Sequence, residues 1–166
     1  QGPVGLAATQ LAVAQGARVI ALDINADRLE QAKAFGADAT LKVADGDPVA
    51  AIKELTHGGA DMAMDTSGVA SARTMAIRCV RLWGSVSLVG AGGDLQIAIA
   101  EMMRRQITIM TSWTFSNVGQ SECARFVAER NIDVDRIFTH RWSLDQGSQA
   151  YQLFDQQNAG KGVFHP

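Results

Sequence analysis

Cysteine is scarce: Cys79 and Cys123 are the only two in 166 residues. They fall in separate helical segments without C-x-x-C spacing, and nothing nearby supplies third and fourth ligands for a zinc knot. Both are expected to be buried, reduced thiols of a cytoplasmic protein. Basic runs are as short, none exceeding Arg104-Arg105, and the net charge is −2. The electrostatic footprint of a nucleic-acid binder is therefore missing. No apolar stretch approaches the ~18 residues of a membrane span. There is no basic-then-apolar leader either, although a chain opening inside a motif carries no information about its targeting. No repeat or low-complexity tract interrupts the chain. What is present is 47% hydrophobic residues, ample for one domain around one core.

The rest of the chain is arranged around Gly2 to Asp23. Gly2 and Gly5 match the last two glycines of a G-x-G-x-x-G fingerprint, whose first would fall one residue before Gln1. In such a turn one glycine lets the backbone approach a pyrophosphate, and the last lets the helix pack closely on a sheet. Val4, Ala8, Leu11 and Ala12 follow the spacing of one buried helical face, and Gly16 can end that helix as a left-handed cap. Arg18 to Leu22 is an apolar run of strand length, closed by Asp23, 18 residues after Gly5. An acidic side chain about 20 residues on meets the adenosine ribose hydroxyls in dinucleotide sites. Such a carboxylate accepts from the diol and repels a 2′-phosphate, which favours NAD over NADP.

Gly2-Pro3-Val4-Gly5-Leu6-Ala7-Ala8, Gly16-Ala17-Arg18-Val19-Ile20, Asp23, Arg28-Leu29, Phe35-Gly36-Ala37-Asp38 and the closing Gly160-Lys161-Gly162-Val163 resemble the cofactor half of the medium-chain dehydrogenases, in their zinc-type alcohol and polyol dehydrogenase branch. The resemblance covers essentially the whole chain. It implies an α/β fold, a doubly wound parallel sheet of the Rossmann kind. It implies a dinucleotide-binding domain over 1–142 and, over 143–166, a C-terminal segment that returns to the catalytic domain in the family. Gly2, Pro3, Val4 and Gly5 form the cofactor-binding turn; by position in the motif the backbone at Pro3 and Val4 faces the pyrophosphate, with the Val4 N–H the better donor because proline has none. Asp23 takes the ribose and Arg28 lies beside the adenine. Thr66, Ser67 and Gly68 run along the cofactor, and Val89, Gly90, Ala91, Ser112 and Thr114 offer backbone groups near the carboxamide. The resemblance also implies a homo-oligomer joined edge to edge through the strand at Ile107 to Met110.

Further along, Asn25 caps a helix running to about Phe35, with Leu29 and Ala32 inward and Gly36 after it. Ala39 to Val43 reads as a strand. Asp47-Pro48 is a strong helix start, and that helix carries Val49, Ile52 and Leu55 to Gly58-Gly59, with His57 at its C-terminal end. Ala60 to Asp65 is a strand, Thr66 to Gly68 a loop, and Ala72, Met75, Ala76 and Cys79 a helical stripe. Ser85 to Val89 is a strand running into Gly90 to Gly93, where glycines permit close backbone approach. Leu95 to Ile99 is extended, Ala100 to Arg105 a helical turn and Ile107 to Thr111 a strand. Gln120 to Glu129 is a helix burying Cys123, Phe126 and Val127. Asn131 to Arg141 is irregular, with an extended piece near Thr139 to Trp142. A helix over Asp145 to Gln156 buries Ala150, Leu153 and Phe154, and Val163 to His165 is a last strand.

Strands and helices alternating on this spacing imply a parallel sheet with a ligand across its carboxyl edge. The strand expected before Gln1, central in that topology, is not in the chain. Its absence should split the sheet and leave unpaired edges, so residues preceding Gln1, or failing that another segment or chain, are expected to fill the gap. The family's zinc is held by an N-terminal catalytic domain, and none of those ligand positions maps here; His140 and His165 are isolated. The chain is thus expected to supply an NAD(H) cradle, the alcohol substrate being met mostly by the missing half. Three rivals are an NADPH-dependent quinone or enoyl reductase of the same superfamily, a non-catalytic nucleotide-binding module, and a relic without nucleotide affinity.

Overall fold

The computed structural model describes residues 1–156 and 160–166. Among the described residues seven α-helices and seven strands alternate: α1 (Pro3–Ala14), β1 (Ile20–Asp23), α2 (Ala26–Ala34), β2 (Ala39–Lys42), α3 (Pro48–Leu55), β3 (Ala60–Asp65), α4 (Ala70–Cys79), β4 (Val80–Leu88), α5 (Ile99–Arg105), β5 (Thr108–Thr111), α6 (Asn117–Glu129), β6 (Phe138–Ser143), α7 (Gly147–Asp155) and β7 (Lys161–His165). Every strand pairing is parallel. Short strands joined through helices are what a parallel sheet requires, since a tight hairpin cannot connect parallel neighbours.

Local chemistry explains the helix starts. The Asn25 side chain accepts from the Asp27 and Arg28 N–H groups at the head of α2. Asp47 does the same for Val49 and Ala50, with Pro48 at the first helical position of α3. Each satisfies donors that a helix cannot pair internally. Gly16 and Gly36, at φ 86° and 100°, follow α1 and α2 as expected of left-handed caps.

The sheet is split where expected. β1 bonds only to β2, while β3, β4 and β5 form a second sheet with β4 in the middle, and β6 pairs with β7 in a third. The third sheet reaches back to Phe138, so the tail shares its hydrogen bonds with residues before 143. Two cores accompany the split. Leu6, Ala21, Ala32 and Phe35 gather where α1, α2 and β1 meet, joined by Ile137. Ile77, Val80, Val86 and Leu88 form the other, against Leu95, Ile97, Met102, Ile107 and Ile109. Leu95 and Ile97, although outside any strand, thus anchor the link into α5.

Several details differ from the sequence pattern. α1 buries Gly5, Leu6 and Thr9 rather than the stripe of Val4, Ala8, Leu11 and Ala12, and Val4 is exposed. A helix apolar on nearly every side gives periodicity nothing to select. β1 starts at Ile20, because Arg18 instead pairs with Asp38 at 2.6 Å and donates to the Leu55 carbonyl at 3.2 Å. β4 starts at Val80, five residues early, with a register shift against β3 between Ala60 and Met62. In the displaced stretch Trp83 adopts φ 61° and stands exposed. In α4 the fully buried side chain is Ile77, while Ala72, Met75 and Ala76 are only half covered. Cys79 is buried, but Cys123 is exposed, and α6 holds no fully buried residue. Leu153 and Phe154 are half-buried beside a buried Ala150. No helix among the described residues is long and apolar enough to cross a membrane.

Candidate functional site

The first turn of α1 sits at the split between the β1–β2 sheet and the β3–β4–β5 sheet. A β-carbon built on Gly5 would lie 3.2 Å from the Thr66 hydroxyl and 3.4 Å from Gln1 Oε1. The Gln1 amino group in turn contacts the Asp23 carboxylate. The head of the helix is therefore flanked by the carboxyl end of β1 on one side and of β3 on the other. Gly2 caps it with extended backbone and no side-chain hydrogen bond, and nothing lies within 4 Å of a β-carbon built there. The first N–H groups of any helix lack internal partners and carry the positive end of its dipole. This is a place where an anion is stabilised.

Asp23, the last residue of β1, accepts from the Asn25 N–H at 2.9 Å, and the Arg28 guanidinium stands 3.9 Å away. Burial alone pushes its carboxyl up. The hydrogen bond from the Gln1 amino group, the Asn25 N–H and the charges of both cations outweigh that and hold it below the ordinary carboxylate value. It is ionised at neutral pH. A hollow next to it is lined by Gln1, Gly2, Pro3, Leu6, Asp27, Arg28, Gln31 and Gly160. Gly2, Pro3 and Arg28 thus come together, and Gly160 of the tail joins them.

A second group lies at the carboxyl edge of the β3–β4–β5 sheet, where Asp65 pairs with Leu88 and Leu88 with Thr111. The loops beginning at Thr66, Val89 and Ser112 therefore leave one edge. Asp65, almost fully buried, accepts from the Ser67 N–H at 3.0 Å, the Ser67 hydroxyl at 2.6 Å and the Gly68 N–H at 3.1 Å. Its carbonyl accepts from Val89 and Gly90 at 2.9 and 3.0 Å, and the Leu88 carbonyl accepts from Ser112 at 3.1 Å. Of the backbone groups expected to meet a ligand here, the N–H groups of Val89, Gly90 and Ser112 are thus already partnered within the protein. Ala91, Ser112 and Thr114 are exposed.

Asp65 and its partner Arg73 were not among the residues singled out from sequence. A strand ending in Asp before Thr-Ser-Gly carries a detectable signal, since an Asp side chain commonly binds the backbone two residues on. Arg73 has no such local signature. Among the described residues no group of three His, Cys, Asp or Glu side chains is placed to hold a metal ion. His140 bonds to Thr139 at 2.8 Å and stacks on Trp142, and His165 bonds to Arg141 at 2.9 Å, so both serve the β6–β7 unit.

The sequence pattern of the zinc-binding dehydrogenases matches residues 3–130. The chain is 37% identical to YphC, a zinc-type alcohol dehydrogenase-like protein of Escherichia coli K12, over 99% of this chain and 47% of that protein. It is 31% identical to the L-threonine 3-dehydrogenase of Symbiobacterium thermophilum, over 99% of this chain and 49% of that enzyme. Among solved structures, the alcohol dehydrogenase TADH of Thermus sp. ATN1 superposes with a TM-score of 0.87 at 28% identity, covering 98% of this chain and 49% of that one. The chain spans about half the length of the curated relatives it matches.

Proposed function

The chain belongs to the zinc-binding dehydrogenases of the medium-chain superfamily, and from that premise we propose that it is the NAD-binding half of an alcohol or polyol dehydrogenase. The parent reaction is reversible hydride transfer between a secondary alcohol and the nicotinamide ring. The observation that carries this reading is the anionic Asp23 beside the open head of α1. At Gly2, where a β-carbon would meet nothing within 4 Å, the backbone is open to the approach of a pyrophosphate, and an ionised carboxylate at the end of the adjoining strand suits a ribose diol.

In this reading residues 1–142 are the nucleotide domain and 143–166 the segment returning to the catalytic domain. The Val4 N–H and the dipole of α1 hold the pyrophosphate, while Asp23 orients the adenosine ribose beside Arg28. Thr66, Ser67 and Gly68 flank the middle of the cofactor. Val89, Gly90, Ala91, Ser112 and Thr114 border its nicotinamide end. When bound, the cofactor supplies the hydride acceptor. Among the described residues no set of side chains is placed to hold zinc, so in this reading alkoxide stabilisation falls to the catalytic half and no step is assigned to this chain. The open edge of β5, bonded only to β4 among the described residues, supports a homo-oligomer joined through that strand, and this reading takes the protein to be cytoplasmic. Alone, this chain binds NAD(H) and does not turn over alcohol.

Thermal unfolding with NADH and with NADPH tests the reading. Saturating NADH, at about 100 times its dissociation constant, stabilises the chain by about 2.7 kcal/mol, and NADPH by far less. No shift with either nucleotide removes the nucleotide reading; a tenfold or larger preference for NADPH, on the order of 1.4 kcal/mol, makes the protein a reductase of the other branch.

A further inference from the structure

Arg73 lies in the first turn of α4, and its guanidinium is nearly buried, at 12% side-chain exposure. Nε faces Asp65 Oδ2 at 3.4 Å, Nη2 donates to the Gly90 carbonyl at 2.5 Å, and Nη1 donates to the Gly93 carbonyl. One side chain thus ties the end of β3 to both ends of the loop after β4. The same two loops touch with no side chain between them. A β-carbon on Gly68 would stand 2.0 Å from the Ala91 carbonyl oxygen, and one on Gly93 would stand 2.4 Å from the Gly68 carbonyl oxygen. The backbones of 66–68 and 90–93 are therefore in direct contact, with Arg73 bracing them from behind.

We propose that Arg73 is a positioning residue for the nicotinamide end of the nucleotide seat. It touches no ligand and acts by fixing the backbone of Gly68, Gly90 and Ala91. Arginine suits the task because its planar fork presents several fixed donors to acceptors on separate segments, whereas an ammonium is a single point of charge. Loss of the fork leaves Asp65 short of a partner and frees the 90–93 loop from α4. At the adenosine end, Asp23 and Arg28 share none of the Arg73 hydrogen bonds, and α1 meets the 66–68 loop only where Gly5 faces Thr66. The inference rests on the nucleotide reading above, and it divides the seat into a half that depends on Arg73 and a half that does not.

Binding of NADH and of AMP to the full chain separates the possibilities, with wild type, R73Q, R73K and I77V titrated side by side. R73Q is expected to weaken NADH by about tenfold, the worth of a charged hydrogen bond, and to leave AMP within about twofold. R73K, retaining the charge without the fork, should fall between, with a loss of about threefold. I77V loosens the same helix through its core and should leave the ratio of the two affinities unchanged. If R73Q fails to fold, the ratio in R73K carries the test alone. An unchanged ratio in the folded Arg73 variants, whether both affinities fall together or neither falls, overturns the positioning role and leaves the nucleotide reading standing. Wild type binding neither ligand removes both.

Discussion

The Arg105 guanidinium donates to the Ile77 carbonyl at 3.0 Å, 28 residues away in the chain. It also reaches the Arg78 carbonyl at 3.4 Å and that of Val80. These oxygens lie at the C-terminal end of α4, where carbonyls lack internal partners and carry the dipole's negative end. The helix that holds Arg73 at one end is thus capped by an arginine of α5 at the other. R105Q is expected to cost about 1–3 kcal/mol, because carbonyls near the core lose a charged donor. Urea unfolding measures it, and R105K should recover part of the loss. An R105Q midpoint equal to wild type would show that water replaces the guanidinium without penalty.

At Gly90 a β-carbon would stand 2.2 Å from the Gly68 nitrogen, a distance no side chain tolerates. G90A must push the 66–68 and 90–93 loops apart. The expected cost is about 3 kcal/mol, at the upper end for overpacked sites, with NADH affinity falling as well. Circular dichroism melts and a nucleotide titration check both. G2A, by contrast, meets nothing within 4 Å and should leave the melt unchanged.

Asp23 carries a pH dependence of definite sign. Its carboxyl is held below its ordinary value in the folded chain, so its stabilising contribution is complete above the unfolded value of about 3.9. That contribution disappears as pH falls through the lower folded value. Acid unfolding of D23N should lack this component. The same substitution should weaken NADH by about tenfold or more, as expected for a lost charge-assisted hydrogen bond. It should also narrow the discrimination against NADPH. Unaltered NADH binding in D23N would dissociate this carboxylate from the ribose.

The two thiols should react very differently. Burial pushes Cys79 up to about 11, with Asp47 adding to that and the charges of Lys53 and Arg105 opposing it. Cys123 is exposed on α6. Because the thiolate is the reactive form, a disulfide reagent at mild alkaline pH should modify Cys123 rapidly. Cys79 should respond only on unfolding, and C123S should give a native protein that does not react. Fast labelling of Cys79 in the C123S protein would contradict the burial of the α4 core.

Much of this was legible in the chain itself. Asn25, the Asp47-Pro48 pair, Gly16 and Gly36 mark helix ends through chemistry confined to a few neighbouring residues, and each sits where that chemistry requires. The alternation of strands and helices also forecasts parallel pairing, which every observed strand pair shows. Burial was less legible wherever the pattern was ambiguous. α1 is apolar on most sides, so its inward face at Gly5, Leu6 and Thr9 depends on neighbours distant in sequence. Cys123 was expected inside because its spacing to Phe126 and Val127 suggests a stripe, yet α6 lies at a surface that covers only part of it. Arg73 and Arg105 were invisible for the same reason: an arginine's partners are set by where the helices land. In the candidate site, the order of residues pointed to Gly2–Gly5 and Asp23 but not to the buried Asp65 that organises the loop beside them.

Two loops already in contact, backbone against backbone, have little freedom for an arriving molecule to remove. Ordering a floppy segment on binding consumes affinity. In the proposed nucleotide seat, the Gly68–Gly90 junction would avoid that loss by meeting the cofactor with its backbone contacts already made. A nucleotide seat of that kind would discriminate by shape, since a ligand that does not match its contour would have to break those backbone contacts to fit.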